Sequence, residues 1–248
     1  MEKLINLITS SEKGAEQFLK NMIEINKDNE DYWYEVFVLS GKESVCPDSF
    51  IIDNIELFMN KYYLKYAILS NNVLNEFIDN DIFNSDLAEL FLKTQKLDDK
   101  MLEQYLLDEN TKVDWLLLQE YQNLSSDFIY KYERYLDWKV ISQEQYMNLE
   151  FIIKNINKLD WNLMITNIKL QPMINEGFIS LFQKQNIWDN IGWCNNIDVQ
   201  TLLKYQNCFT VKSWTSILEF KDLTDDEKEI FKLHVEAELF EHLIMNFE

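Results

Sequence analysis

His234 and His242 are the only imidazoles in the chain, and Glu238 stands midway between them. On a helix these three fall at i, i+4 and i+8, a stripe of the kind that can hold a metal ion. Each four-residue step drifts by about 40° around the axis, and no fourth ligand is evident. The stripe therefore reads as a polar helix face. No Ser/His/Asp or Cys/His relay can be assembled around the two histidines. Gly14, Gly41, Gly177 and Gly192 are isolated, which leaves no phosphate-cradling loop. The carboxylate pairs Asp98-Asp99 and Asp225-Asp226 stand at helix starts, where negative charge complements the dipole. Cys46, Cys194 and Cys208 have neither CxxC nor zinc spacing and read as reduced thiols of a cytosol-like compartment. The sequence assigns no catalytic residue, no metal and no cofactor, and the chain is expected not to be an enzyme.

The elements that position these side chains follow from composition. The chain has 248 residues, 47% of them hydrophobic and 14% aromatic, enough for a substantial core. Four Gly and two Pro are too few for a hairpin-rich architecture and favour helices joined by short polar turns. The formal net charge of −20 repels bare phosphate backbones and acidic membranes. Neither direct nucleic-acid binding nor membrane association is expected. The first residues lack an apolar run long enough for a signal peptide, and no stretch approaches the length of a membrane span. The expectation is a chain neither secreted nor transmembrane.

An internal repeat organises the middle of the chain. Val113-Asp114-Trp115, Leu136-Asp137-Trp138 and Leu159-Asp160-Trp161 are spaced 23 residues apart. Ten residues before each Trp sits Tyr105, Phe128 or Phe151, and four residues before that Met101, Leu124 or Met147. Looser copies carry Ile174, Phe178, Trp188 and Ile191, then Leu203, Trp214 and Ile217; Phe77-Ile78 and Phe50-Ile51 look like earlier ones. The total is about seven. Within one copy, Leu124, Phe128, Ile129, Tyr132, Tyr135 and Leu136 draw a single apolar stripe. Asp137 is read as the N-cap of a second helix that starts at Trp138. Asp114 and Asp160 take the same role, and Ser213 fills that slot before Trp214. Trp115, Trp138, Trp161, Trp188 and Trp214, with Phe128, Phe151 and Phe178, are the expected core. Among first helices, Ser125, Asn148 and Asp198 are candidate caps, without one clean column.

The expected fold is all-α: an elongated α-solenoid of about seven short helix-pair repeats with helical caps at both ends. Residues 1–45, with helical stretches at Leu4–Ile8, Phe18–Ile25 and Trp33–Val38 and a turn at Ser40-Gly41-Lys42, form an N-terminal cap or small bundle. Residues 46–222 are the helix pairs. Residues 223–248 open with the capping box Thr224-Asp225-Asp226-Glu227 and form a closing helix.

Leu124-Ser125-Ser126-Asp127-Phe128-Ile129, followed by Leu136-Asp137-Trp138 and by Ile141-Ser142 and Gln143, resembles a helical repeat of giant DNA viruses and large bacteriophages, a family without an assigned function. The likeness is close over about 101–169, and from 170 onward the Asp-Trp dipeptide gives way to Ile187-Trp188 and Ser213-Trp214. It implies a viral or phage origin and a helical repeat array, and it implies no activity.

Two functions fit this reading. The first is a protein-interaction module, either a virion or assembly component or a binder of a host protein, residing in the virion or the cytoplasm of the infected cell. Exposed residues on one helical row, such as Tyr130, Arg134, Asn155 and Lys158, would then face a partner. The second is an acidic mimic of nucleic acid that inhibits a host defence or DNA/RNA-binding protein. Its face would be the acidic run Glu219, Asp222, Asp225, Asp226, Glu227 and Glu229.

Overall fold

The computed structural model describes residues 15–39, 46–107 and 113–245, the side chains of Ala15, Leu39, Asn84 and 236–245 excepted. The segments Leu4–Ile8 and Ser40-Gly41-Lys42 lie outside the described residues. Among those described, every regular element is a helix and none is a strand. The chain divides into two compact units, Met1–Phe128 and Ile129–Glu248.

Polar caps and the apolar residues around them explain where these helices start. Ser70, Asp98, Ser125, Asn148, Asn175, Asp198 and Thr224 each accept a hydrogen bond from the backbone N–H three residues on. Each cap follows a buried aliphatic or Met: Leu69, Leu97, Leu124, Met147, Ile174, Ile197 and Leu223. A satisfied N-cap contributes about 1 kcal/mol. It also fixes the phase in which the following side chains turn inward. This column of caps is cleaner than the sequence reading allows, and it corrects the register. The 23-residue spacing pairs Met101 and Tyr105 with Leu124 and Phe128. Counted from the caps, Leu97 is the counterpart of Leu124, and Met101 that of Phe128. The shift is one helical turn.

The second helices start as follows. Asp114 accepts from Leu117 N, Asp137 from Lys139 N and Asp160 from Leu163 N. Ser213 is not a cap. Thr210 caps the Val211–Phe220 helix, and Ser213 sits inside its first turn, returning a bond to the Thr210 N–H. Trp188 starts no α-helix; the next element after it is a 3-10 turn, Ile191–Trp193. Trp161, Trp188 and Trp214 are buried, whereas Trp115 and Trp138 are half-buried. The indole N–H of Trp161 donates to Ile156 O and that of Trp188 to Gln183 O, each five residues back. The ring thus fills the core while its polar edge satisfies a carbonyl just past the preceding helix.

Helices of six or seven residues are marginal in isolation, so what joins neighbouring helices matters. In the first compact unit the Lys61–Tyr66 helix packs on Ala88–Thr94, which packs on Trp115–Tyr121. In the second, Trp138–Glu144 packs on Trp161–Met164, and Val211–Phe220 packs on both Ile191–Trp193 and Asp225–Met245. Buried amide side chains tie these layers. Gln95 donates to Leu64 O and Ala67 O and accepts from Leu69 N. Gln122 repeats the scheme 27 residues later, donating to Leu92 O and to Gln95 O at 2.8 Å and accepting from Leu97 N. In the second compact unit Asn167 donates to Ser142 O and Gln145 O, and Lys221 donates to Cys194 O and Ile197 O. Gln95 and Gln122 stand where the chain leaves a helix in extended conformation. Their polar ends therefore reach carbonyls that the preceding helix end leaves unpaired.

Gly192 marks a close approach between two elements. A methyl group built there would overlap the Ser216 carbonyl of the Val211–Phe220 helix, and the Gly192 N–H donates to Ser216 Oγ.

Candidate functional site

The strongest grouping of exposed functional side chains forms where the Ser126–Tyr132 helix turns, through the 3-10 segment Glu133–Tyr135, into Trp138–Glu144. Tyr130, Lys131, Glu133, Arg134 and Trp138 line a groove of about 440 Å³. The chain folds this way locally because Asp137 starts a new helix immediately after the turn, which sets Trp138 opposite Tyr130. Phe151, buried in the core, forms the floor. Its ring lies 5.4 Å from that of Tyr130 and stacks 6.1 Å from that of Trp138.

Cations from the Leu149–Lys154 helix and the turn after it lean over these rings. Lys154 Nζ sits 4.3 Å above Tyr130, and Lys158 Nζ sits 5.0 Å above Trp138 while pairing with Glu133 at 2.5 Å. Arg134 lies over Tyr135 and donates to its hydroxyl. Asn155 donates to the Tyr130 hydroxyl at 2.9 Å and to Phe151 O. The structure therefore brings together Tyr130, Arg134, Asn155 and Lys158, but it corrects one of them. Asn155 is buried, not exposed, because its amide closes the end of the Leu149–Lys154 helix while fixing Tyr130. Trp138, Lys131 and Lys154 complete the groove and escaped the sequence reading. The signal available was the run of cations at 131, 134, 139, 154 and 158 in a chain where carboxylates dominate.

Other sequence-predicted residues lie elsewhere. Phe128 and Phe178 are buried, as is Phe151. His234 stacks on the Trp214 ring at 4.5 Å, where its imidazole packs as an aromatic; the side chains of Glu238 and His242 lie outside the described residues. Of the acidic run, Glu219, Asp222, Asp225, Asp226 and Glu229 are exposed. Three of its members are engaged locally: Asp225 near Lys228, Glu229 with Lys232, and Glu227 with Thr224. The Thr224 backbone N–H holds the Glu227 carboxyl below its ordinary range. Burial pushes the Cys46 and Cys194 thiols up to about 12, so neither is a ready nucleophile near neutral pH. Burial also lowers Lys221.

A larger cleft, about 550 Å³, is lined by Lys20, Glu24, Asp53 and Glu56 among others. No aromatic ring is among its lining residues, and its carboxylates outnumber its one cation, so it lacks the mixed chemistry of the groove. Among the described residues no cluster of three metal-ligating side chains forms, and no helix is long and apolar enough to cross a membrane. No protein-family model, curated protein or solved structure matches the chain.

Proposed function

We propose that this chain is a non-enzymatic protein–protein interaction module, built as an α-solenoid of short helix pairs. On this reading it originates from a virus or phage and serves as a virion or assembly component or as a binder of a host protein. The observation that carries the architecture is the recurring sequence offset of its polar ties. Gln122 to Gln95, Asn167 to Gln145, Lys221 to Ile197 and Lys158 to Glu133 lie 27, 22, 24 and 25 residues apart, close to the sequence period. Contacts at one period are what stacked helix pairs make, and such stacks offer long surfaces to partners. The viral origin rests on the likeness of 124–143 to viral and phage repeats. The Asp225–Met245 helix serves as the closing cap, since it covers Trp214 through Phe231 and His234. The alternative, an acidic mimic of nucleic acid, draws less support because Asp225, Glu227 and Glu229 are engaged within the protein itself.

The test is quantitative capture on immobilised chain from extracts of host cells, infected and uninfected. Saturable enrichment of one protein at a defined ratio, over an unrelated acidic helical control, supports the reading. Enrichment no different from the control, or turnover of a small molecule by the purified chain, overturns it.

A further inference from the structure

We propose that the groove between Tyr130 and Trp138 is the docking site for a short acidic segment of a partner protein, carrying an aromatic or large aliphatic residue among its carboxylates. The inference rests on the interaction reading above and names its surface and ligand class.

Charge contrast is the first argument. The chain carries 43 carboxylates against 23 lysines and arginines, so an average patch is negative. Lys131 and Arg134 line the groove with one carboxylate, Glu133, which is paired with Lys158, and Lys154 and Lys158 lean over its rings from the following helix and turn. Arg134 is the sole arginine of the chain. It is exposed, and its planar fork matches a carboxylate with two parallel hydrogen bonds.

The rings are the second argument. Tyr130 and Trp138 are half-buried and backed by Phe151. Asn155, itself buried, holds the Tyr130 hydroxyl in place. The floor is therefore pre-organised and little ordering remains at binding. Trp, Tyr and Arg are also the side chains that most often carry interface energy. Lys154, now above Tyr130, is held by an exposed cation–π contact of about 0.5–1 kcal/mol, weak enough to swing onto an incoming carboxylate.

The rest of the surface decides which anion fits. A long polyanion such as RNA or DNA would extend beyond the groove onto a surface of net negative charge and be repelled. A peptide of a few residues stays within about 8 Å of the four cations, the range over which charges act at physiological salt. It can also place an apolar side chain on the Tyr130–Trp138 floor, which a sugar-phosphate backbone cannot.

The probe is a fluorescein-labelled peptide with four glutamates flanking one leucine, read by anisotropy against the full chain, beside its glutamine counterpart. The glutamate peptide should bind, and the glutamine peptide should bind at least about tenfold more weakly. Raising NaCl from about 50 to 300 mM should weaken the glutamate peptide alone. R134Q combined with K154Q should lose about tenfold in affinity, with an unchanged circular dichroism spectrum. W138F should weaken binding of the glutamate–leucine peptide and leave that of an all-glutamate peptide unchanged. Equal binding of the two peptides, or full retention by R134Q/K154Q, overturns the proposal. So does tighter binding of a short single-stranded DNA. A dimer of the free chain that R134Q dissolves would assign the groove to a second copy and overturn it as well. If the chain captures a cellular protein by a surface that R134Q/K154Q leaves intact, the interaction reading survives and this assignment fails.

Discussion

Gln122 is fully buried, and its amide satisfies one N–H and two carbonyls of the preceding pair. Replacing it by Leu fills the space and leaves those three backbone groups without it. At about 1–3 kcal/mol for each stranded group, Gln122→Leu should lower stability by at least about 3 kcal/mol, read as a fall in the urea midpoint at constant slope. Tyr63 presents the opposite case. Its hydroxyl is buried and has no hydrogen-bond partner among the described residues, while its ring packs against Trp33, Phe37 and Phe58. Tyr63→Phe keeps the ring contacts and removes the stranded group, so it should stabilise by about 1 kcal/mol, and a lower melting temperature would contradict this. Asp198 has a titration signature. The Thr201 backbone N–H holds its carboxyl below the ordinary value. Its stabilisation is therefore complete above about pH 3.9, the unfolded value, and is lost as pH falls through the lower folded value. Asp198→Asn keeps an acceptor oxygen but does not titrate, so its stability should fall less steeply on acidification than that of the parent chain.

At the scale of elements, Gly192 should be intolerant of any side chain. Gly192→Ala must push the Ile191–Trp193 turn away from Val211–Phe220, because the obstacle is the Ser216 carbonyl and not a movable side chain. A loss of 2 kcal/mol or more is expected, at about the level of an overpacked core, together with altered near-ultraviolet dichroism. Gly192 had stood out in the sequence only as an isolated glycine, since the helix that crowds it lies over twenty residues downstream. Other elements were more legible. The Asp-Trp dipeptides at 114, 137 and 160 mark helix starts because a carboxylate cap acts locally, on amides two or three residues away. The slip at Met101 has a physical origin: an apolar stripe repeats almost unchanged after one turn, so Met101 and Leu97 are equivalent by pattern, and only the cap at Asp98 separates them. Ser213 misled for the same reason, because it and Thr210 sit one turn apart and both can cap. Half of the groove was visible as a row, Tyr130 and Arg134 with Lys158. Trp138 and Lys154 join it across helices, a relation that no local pattern encodes.

For the molecule as a whole, two electrostatic effects compete. Ion pairs such as Lys20–Glu16, Lys27–Glu24 and Lys93–Glu89 join near neighbours in sequence at the protein surface, and salt weakens each by a fraction of about 0.5 kcal/mol. Against them stands the self-repulsion of a chain with net charge −20, which salt relieves. The repulsion should win, so the melting temperature should rise between about 20 and 200 mM NaCl; a fall would give the ion pairs the larger share. The amide ties carry a different consequence. Gln95, Gln122 and Asn167 grip main-chain atoms and are indifferent to which side chains their neighbours bear. On the proposed solenoid reading, the outer residues of one helix pair can be rewritten, or another pair spliced in, without redesigning the seams. Diversity of targets would come from exchanging tiles along an unchanging grout.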